Sequence, residues 1–380
     1  MSVNQLFILL SFGIGIAATA YIRTFDTYEK EPLLKMVIVV LWGGVWSIVI
    51  ADLSYGFLRA AGIGDLRNFL GAFLVIGPVE EGAKFLALLS AYFIIRKELN
   101  EPTDGLIYMF CVALGFSLIE NYFYATQTAD SGHLLFIRLL IATPMHIIFS
   151  SFMGIAFYMM MKHKTGFVLF FVSYFYASLV HGMWDAIVFH HLIVLFSLLL
   201  FLFTWRWTLS LLSYTAAKSP FKPSLKDFIN NHGKIERSKG IECLGCGDKT
   251  DKYSFKGKGF VIQKCNRCQG YLANKNSLFR MFRFFGSGLK DLKKHYLKGK
   301  THNRPYSTLY KGNYVSDDKQ VAFFYLDELN DALNEFNQSI IEKIESRWWF
   351  PERLRLATAP KVAASNDEFV FHGADEFEFE

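Results

Sequence analysis

The chain has 380 residues, 52% of them hydrophobic and 17% aromatic, with a formal net charge of +6 and a mean hydropathy of +0.24. That composition lies on the membrane side of the usual classes, away from ordinary soluble domains and disordered chains. The sequence holds no phosphate loop, no dinucleotide fingerprint and no internal repeat, so nucleotide-binding folds and solenoids find no support in it.

Apolar residues are segregated along the chain. Up to about Tyr214 there are seven apolar runs, at residues 6–22, 34–57, 69–95, 106–125, 134–161, 167–189 and 191–212, and the remainder is polar. Runs of roughly 20 residues cross a hydrocarbon layer about 30 Å thick at about 1.5 Å per helical residue. The expected fold is therefore an all-α polytopic membrane protein with about seven transmembrane helices, a small cytoplasmic zinc-ribbon-like domain and an acidic tail. In the first run Ala18-Thr19-Ala20 resembles a signal cleavage site. Residues 1–5 carry no basic side chain and six runs follow, so a retained helix is expected. An outside N-terminus puts Arg23, Lys30, Lys35, Arg96, Lys97, Lys162 and Lys164 in the cytoplasm, against Arg59, Arg67 and Arg138 on the far face. By the positive-inside rule this predicts a multi-pass protein of the cell membrane with a cytoplasmic C-terminal region.

Ionisable residues inside such runs are costly unless they face a partner or a water-filled cavity. Asp52 in the second run and Arg206 in the seventh, between Trp205 and Trp207, sit near helix ends, where an ion pair or a snorkelling side chain accounts for them. The third run is different. It contains GPVEEGAKF, with Glu80, Glu81 and Lys84 at its centre; Glu120 and Asn121 follow in the fourth run, His146 in the fifth, and His181 with Asp185 in the sixth. Glu80 and Lys84, Phe116 and Glu120, and His181 and Asp185 are four residues apart, so each pair shares one helical face. Pro78 is expected to break or kink the third helix just before the glutamates. With the orientation above, Glu80, Glu120, His146 and His181 all fall about 9–18 Å below the outer surface, counting about 1.5 Å per residue. One buried polar site is expected from that common depth. Histidines and carboxylates so grouped can hold a metal such as zinc, or activate water with a glutamate base. A donor aimed at a substrate carbonyl would stabilise an oxyanion, so peptide-bond hydrolysis in the membrane suits the set.

The ordered motifs E-E-x-x-K (Glu80, Glu81, Lys84), F-x-x-x-E (Phe116, Glu120), the isolated His146 and H-x-x-x-D (His181, Asp185) resemble those of the PrsW family of intramembrane proteases. That family is related to the CAAX prenyl protease and bacteriocin-processing group, and the resemblance covers residues 69–189. It implies an endopeptidase acting on a single-span, membrane-anchored protein such as an anti-sigma factor. Glu80 would activate the attacking water, Glu81 and Lys84 would orient it, and Glu120, His146, His181 and Asp185 would complete the centre. The related group has a histidine where this chain has Glu120. A metal reading makes Glu120, His146 and His181 the ligands of a catalytic zinc; a metal-free one makes Glu80 the base and His181 with Asp185 the oxyanion site. A transporter or channel with a buried Glu/His proton relay, and an inactive membrane scaffold, are the competing classes; the first predicts a path to both faces and often an internal repeat.

Beyond residues 1–217, the helical protease domain in this reading, a linker is expected at 218–240 and a zinc ribbon at 241–275. Cys243 and Cys246 form one CxxC knuckle and Cys265 and Cys268 another, the spacing of a four-cysteine structural Zn2+ site. A cytoplasmic location keeps these thiols reduced; Cys111, alone in the fourth run, reads as a small core residue. Charge then divides, with 22 Lys+Arg against 6 Asp+Glu in residues 218–315 and 6 against 15 in residues 316–380. Residues 276–315 read as a basic amphipathic segment suited to anionic lipid, 316–350 as helical, and 351–380 as an acidic, disordered tail. Membrane lipid and a cytoplasmic protein partner for the ribbon and tail are expected, and no nucleic acid.

Overall fold

A computed structural model of the chain describes residues 3–346 other than 64–67, 128–130, 165, 190–193, 233, 244–245, 255–260, 275–276, 278–279, 282–284, 286–308 and 312–319. The basic stretch and the acidic tail singled out above therefore lie largely or wholly outside the described residues. A helical unit runs to Pro220, and a second unit begins at Phe221.

The apolar runs become helices: α1 (Val3–Arg23), α2 (Leu33–Ala60), α3 (Gly77–Ser90), α4 (Pro102–Gln127), α5 (Thr143–His163), α6 (Phe167–Phe189) and α7 (Val194–Ala217). Four helical stretches among the described residues are long and apolar enough to cross a membrane: Leu33–Ala60, Pro102–Gln127, Leu134–His163 and Phe167–Val188. The run holding α3 falls short because it carries Glu80, Glu81 and Lys84. Large apolar side chains point outward, among them Leu53 and Phe57 on α2 and Phe171 and Phe175 on α6, while Glu81, Lys84, Asn121 and Ser150 are wholly buried. That inverted distribution is what lipid as solvent selects, since polar groups have no partner outside the bundle.

Two of the bundle's helices begin through a π turn followed by proline. The residues Ala72–Ile76 precede Pro78, and Arg138–Ala142 precede Pro144. A proline ring collides with the carbonyl four residues back and offers no N–H; a π turn shifts those carbonyls and absorbs the mismatch. The helix entering at Asn68, whose Oδ1 accepts from the Gly71 N–H at 2.7 Å, thus continues into α3, and of the break or kink expected at Pro78 there is no break but a local π distortion.

Small residues set the spacing. A Cβ on Gly182 of α6 would lie 2.2 Å from the Phe73 carbonyl oxygen, and one on Gly77 would lie 2.1 Å from that of Ser178, so α3 and α6 cross with backbones in contact. Gly105 of α4 meets Gly154 of α5 in the same way, and Gly44 of α2 meets Gly115 of α4. Gly182→Ala is expected to destabilise by about 1–3 kcal/mol or more through overpacking. Gly56→Ala, where nothing lies within 4 Å, should leave the thermal midpoint in detergent unchanged, and equal midpoints for the two variants would refute the close crossing.

The second unit holds α8 (Leu225–His232), a six-stranded antiparallel sheet and α9 (Leu326–Glu345). The strands β1 (Lys234–Glu242), β2 (Lys249–Ser254), β3 (Val261–Cys265), β4 (Tyr271–Asn274), β5 (Leu309–Lys311) and β6 (Gln320–Phe324) lie in the order β1-β2-β3-β4-β6-β5. Here the structure departs from the sequence reading twice. The 218–240 stretch taken for a linker contains α8 and most of β1; the strand's sequence KIERSKGIE lacks alternation, and at a sheet edge backbone pairing with β2 sustains it. The helical segment taken to begin near residue 316 begins at Leu326, because the short apolar run QVAFF pairs with β4, Tyr271 opposite Phe324. Period alone cannot tell so short a run from a helix.

Candidate functional site

The α3 helix brings Glu80, Glu81 and Lys84 into the bundle one turn after its π entry. Lys84 Nζ pairs with Glu81 Oε1 at 2.7 Å, with both side chains wholly inaccessible, and lies 4.3 Å from the centroid of the Phe116 ring. Three helices converge on Glu81, for Ser150 Oγ of α5 donates to Oε2 at 2.7 Å and His181 Nδ1 of α6 lies 2.7 Å from Oε1. In the neutral ring, Nδ1–H donating to Glu81 leaves the Nε2 lone pair facing inward. That Nε2 has no hydrogen-bond partner, and neither has Glu80 Oε2; the two atoms are 3.5 Å apart. Asp185 Oδ2 is 3.6 Å from the same nitrogen.

His146 sits on the other flank. Its Nδ1 is 3.1 Å from Lys84 Nζ, an ammonium that can only donate, so the ring proton is on Nε2 and points at Glu120 Oε2, 2.9 Å away. The two imidazoles stand edge to face with centroids 4.9 Å apart. All seven residues expected to form one site, Glu80, Glu81, Lys84, Glu120, His146, His181 and Asp185, thus fall in one linked cluster. Asn121 lies beside it, donating from Nδ2 to Thr143 Oγ1 at 2.9 Å. Asp52 does not join; it lies 3.8 Å from Arg59 at the exposed end of α2.

Three members of the cluster carried no signal in the sequence. Tyr55 Oη of α2 donates to Glu80 Oε1 at 3.1 Å. Ser150 is the donor to Glu81 already described. Arg138, counted above among the loop charges, donates from Nη2 to Glu120 Oε2 at 2.6 Å and from Nε to Asn121 Oδ1 at 2.7 Å, and its guanidinium stacks 3.9 Å from the Tyr124 ring. Single tyrosines and serines are common in apolar helices, and an arginine near a helix end ordinarily reaches headgroups, so neither spacing nor residue type set these three apart.

The donor set can be tested against a metal. Ligand atoms of Glu80, His146 and His181, all buried, lie within 4.8 Å of one another. Two of them, Glu80 Oε2 and His181 Nε2, are free of other partners, which suits a zinc-class ion; His146 joins only by giving up its contact with Lys84 or with Glu120. Glu120, the third ligand in the metal reading of the sequence, has its Oε2 engaged by Arg138 and His146. The four cysteines form a separate group, with Sγ atoms within 4.8 Å of one another, Cys243 3.4 Å from Cys268 and Cys246 3.4 Å from Cys265. Both knuckles have the tight turns such a site needs: the Gly247 N–H donates to the Cys243 carbonyl at 2.8 Å with Gly247 at φ +77°, and the Cys265 N–H donates to the Gly270 carbonyl at 2.8 Å. This group could bind a metal.

Comparison with known proteins bears on the helical unit. A family model described as PrsW family intramembrane metalloprotease matches residues 31–208, which include every residue of the cluster and none of the four-cysteine site. The chain is similar to Protease PrsW of Clostridioides difficile (strain 630), with 35% identity over 38% of this chain and 60% of that protein. Protease PrsW of Geobacillus kaustophilus (strain HTA426) is 33% identical over 40% and 66%, and that of Bacillus subtilis (strain 168) 29% identical over 48% and 84%. The chain spans less than two thirds of the length of the first two relatives. No solved structure matches it.

Proposed function

The chain belongs to the PrsW family of intramembrane metalloproteases, and we propose from that premise that it is an endopeptidase hydrolysing a peptide bond in or near the membrane of a membrane-anchored protein, of which an anti-sigma factor is one type. The observation that carries this reading is the pair Glu80 Oε2 and His181 Nε2, buried, unpartnered and 3.5 Å apart, beside Glu80 Oε1, Glu81, Lys84 and His146, which are all engaged. A water in that gap gives its proton to Glu80, which Tyr55 holds by its other oxygen, and the same carboxyl returns the proton to the leaving amine. Glu81, steadied by Lys84 and Ser150, keeps the His181 ring in place. Arg138 and His146 hold Glu120 at the rim. A zinc-class ion held by His181, His146 and Glu80 would supply Lewis-acid polarisation of the scissile carbonyl, with Glu80 then a ligand in place of the base. Without it, doubly protonated His181, steadied by Asp185, is the oxyanion donor.

Around this centre we place seven membrane spans with the N-terminus outside, and the second unit in the cytoplasm as a zinc-ribbon domain that recruits or regulates substrate. Its basic segment faces anionic lipid.

The test is hydrolysis of a single-span substrate by the full chain in liposomes containing H2(18)O. One labelled oxygen in the new carboxyl terminus is expected; absence of a cleaved product, or a product without label, would overturn the hydrolase reading. Metal content separates the two versions of the chemistry. Cys243→Ser/Cys246→Ser should lower bound zinc by about one ion per chain while sparing hydrolysis in detergent. Protein stripped of all metal, as shown by elemental analysis, should lose cleavage and regain it with zinc; full activity in the stripped protein would leave Glu80 acting as base unaided.

A further inference from the structure

A second group of buried carboxylates lies at the other end of α4. Asp26, Glu29 and Glu31 come from the segment between α1 and α2, Glu101 and Asp104 from the start of α4. Asp104 and Glu120 are 16 positions apart on α4, which separates the two groups by about 24 Å. The segments TFDTYEKEP and ELNEPTD read as ordinary polar loops. In the structure Asp26, Glu31 and Asp104 are 0% exposed and Glu101 1%.

Asp26, Glu31 and Asp104 are arranged alike, each with one oxygen hydrogen-bonded and the other free. One oxygen is held from behind: Asp26 Oδ2 accepts from the Glu31 N–H at 2.9 Å, and Asp104 Oδ2 from the N–H groups of Asn100 and Glu101, both at 2.7 Å. Tyr108 Oη donates to Glu31 Oε2 and Ser219 Oγ to Glu101 Oε2. The opposite oxygens, Asp26 Oδ1, Glu29 Oε2, Glu31 Oε1 and Asp104 Oδ1, are buried and have no hydrogen-bond donor. The side chains draw together: one ligand oxygen each from Asp26, Glu101 and Asp104 lies within 4.8 Å of the other two, and Glu29, Glu31 and Asp104 form a second such trio sharing Asp104.

We propose that Asp26, Glu29, Glu31, Glu101 and Asp104 form a binding site for a hard divalent cation, Mg2+ or Ca2+, distinct from the Glu80/His181 centre. An all-oxygen donor set without sulfur or imidazole selects these ions over zinc. Donors to one oxygen of Asp26, Glu31 and Asp104 that leave the other oxygen free are the outer shell such sites use. Bound there, the ion ties the α1–α2 segment to the start of α4 and replaces mutual repulsion with coordination. Asp104 belongs to both trios, which makes room for one ion or an adjacent pair.

The test uses the full chain in detergent after treatment with EDTA. Tb3+, a hard-cation probe whose emission is sensitised by a neighbouring tyrosine such as Tyr108, should luminesce with the wild type and equally with Glu80→Gln. Emission should be lost in Asp104→Asn and at least tenfold weaker at the same Tb3+ concentration in Glu29→Gln, a milder change at a half-buried position. Whichever of Mg2+ and Ca2+ displaces Tb3+ at the lower concentration is the preferred ion, and it should raise the thermal midpoint of the wild type but not of Asp104→Asn. Undiminished emission in both cluster variants would overturn the proposal. So would a wild-type midpoint indifferent to both ions together with a higher midpoint in Asp104→Asn, the signature of carboxyls that share protons instead of a cation.

Discussion

Glu80→Gln is expected to lower the rate of cleavage of a single-span substrate by about 10²–10⁴-fold, the range general-base catalysis contributes, while leaving the fold intact. The glutamine oxygen can still accept the Tyr55 hydroxyl now bound at 3.1 Å. Its amide can donate to the His181 Nε2 that has no partner in the native protein, so the thermal midpoint should hold or rise. Loss of rate without loss of stability separates a chemical role from a structural one. Tyr55→Phe should cost less, about tenfold, because it removes one hydrogen bond that orients the base. Wild-type turnover by Glu80→Gln would end the assignment of Glu80 as base.

The largest effect on stability is expected at Lys84. Replacing it by Met leaves Glu81 wholly buried with its carboxylate facing Ser150 and His181 and no ammonium at 2.7 Å. Stranding one partner of a buried ion pair costs about 3–5 kcal/mol. It also takes from His146 the ammonium 3.1 Å from its Nδ1, freeing the ring to change tautomer and release Glu120. Unfolding in detergent should therefore occur at markedly lower temperature in Lys84→Met, whereas Glu81→Gln/Lys84→Met should recover much of the loss, since no unpaired charge remains inside. Activity should stay absent in both: in the double variant His181 has lost the carboxylate that orients it, and in Lys84→Met that carboxylate has lost the ammonium that steadies it. A Lys84→Met protein as stable as the wild type would mean that the pair is solvated, and the view of a sealed polar centre would fail.

The amino-acid sequence by itself determined that the first 217 residues are a membrane-directed helical array, because hydrocarbon thickness requires runs of a definite length and few charges. It also marked the ionisable residues to be explained: Glu80, Glu81, Lys84, Glu120, His146, His181 and Asp185 stand out wherever lipid is the alternative solvent. The two cysteine knuckles were equally plain, since their spacing is local. Only the tertiary structure decided what those groups touch. Periodicity tells which residues share a helical face but says nothing of how far apart two helices lie or how each is turned about its axis. Those quantities come from contacts such as Gly77 and Gly182 at the α3–α6 crossing and from the π turns before Pro78 and Pro144. Hence Tyr55, Ser150 and Arg138 became visible as partners only in three dimensions. For the same reason the run QVAFF became a strand beside β4, and two polar loops far apart in sequence closed around five carboxylates: pairing and enclosure depend on what lies across the gap, which no single segment records.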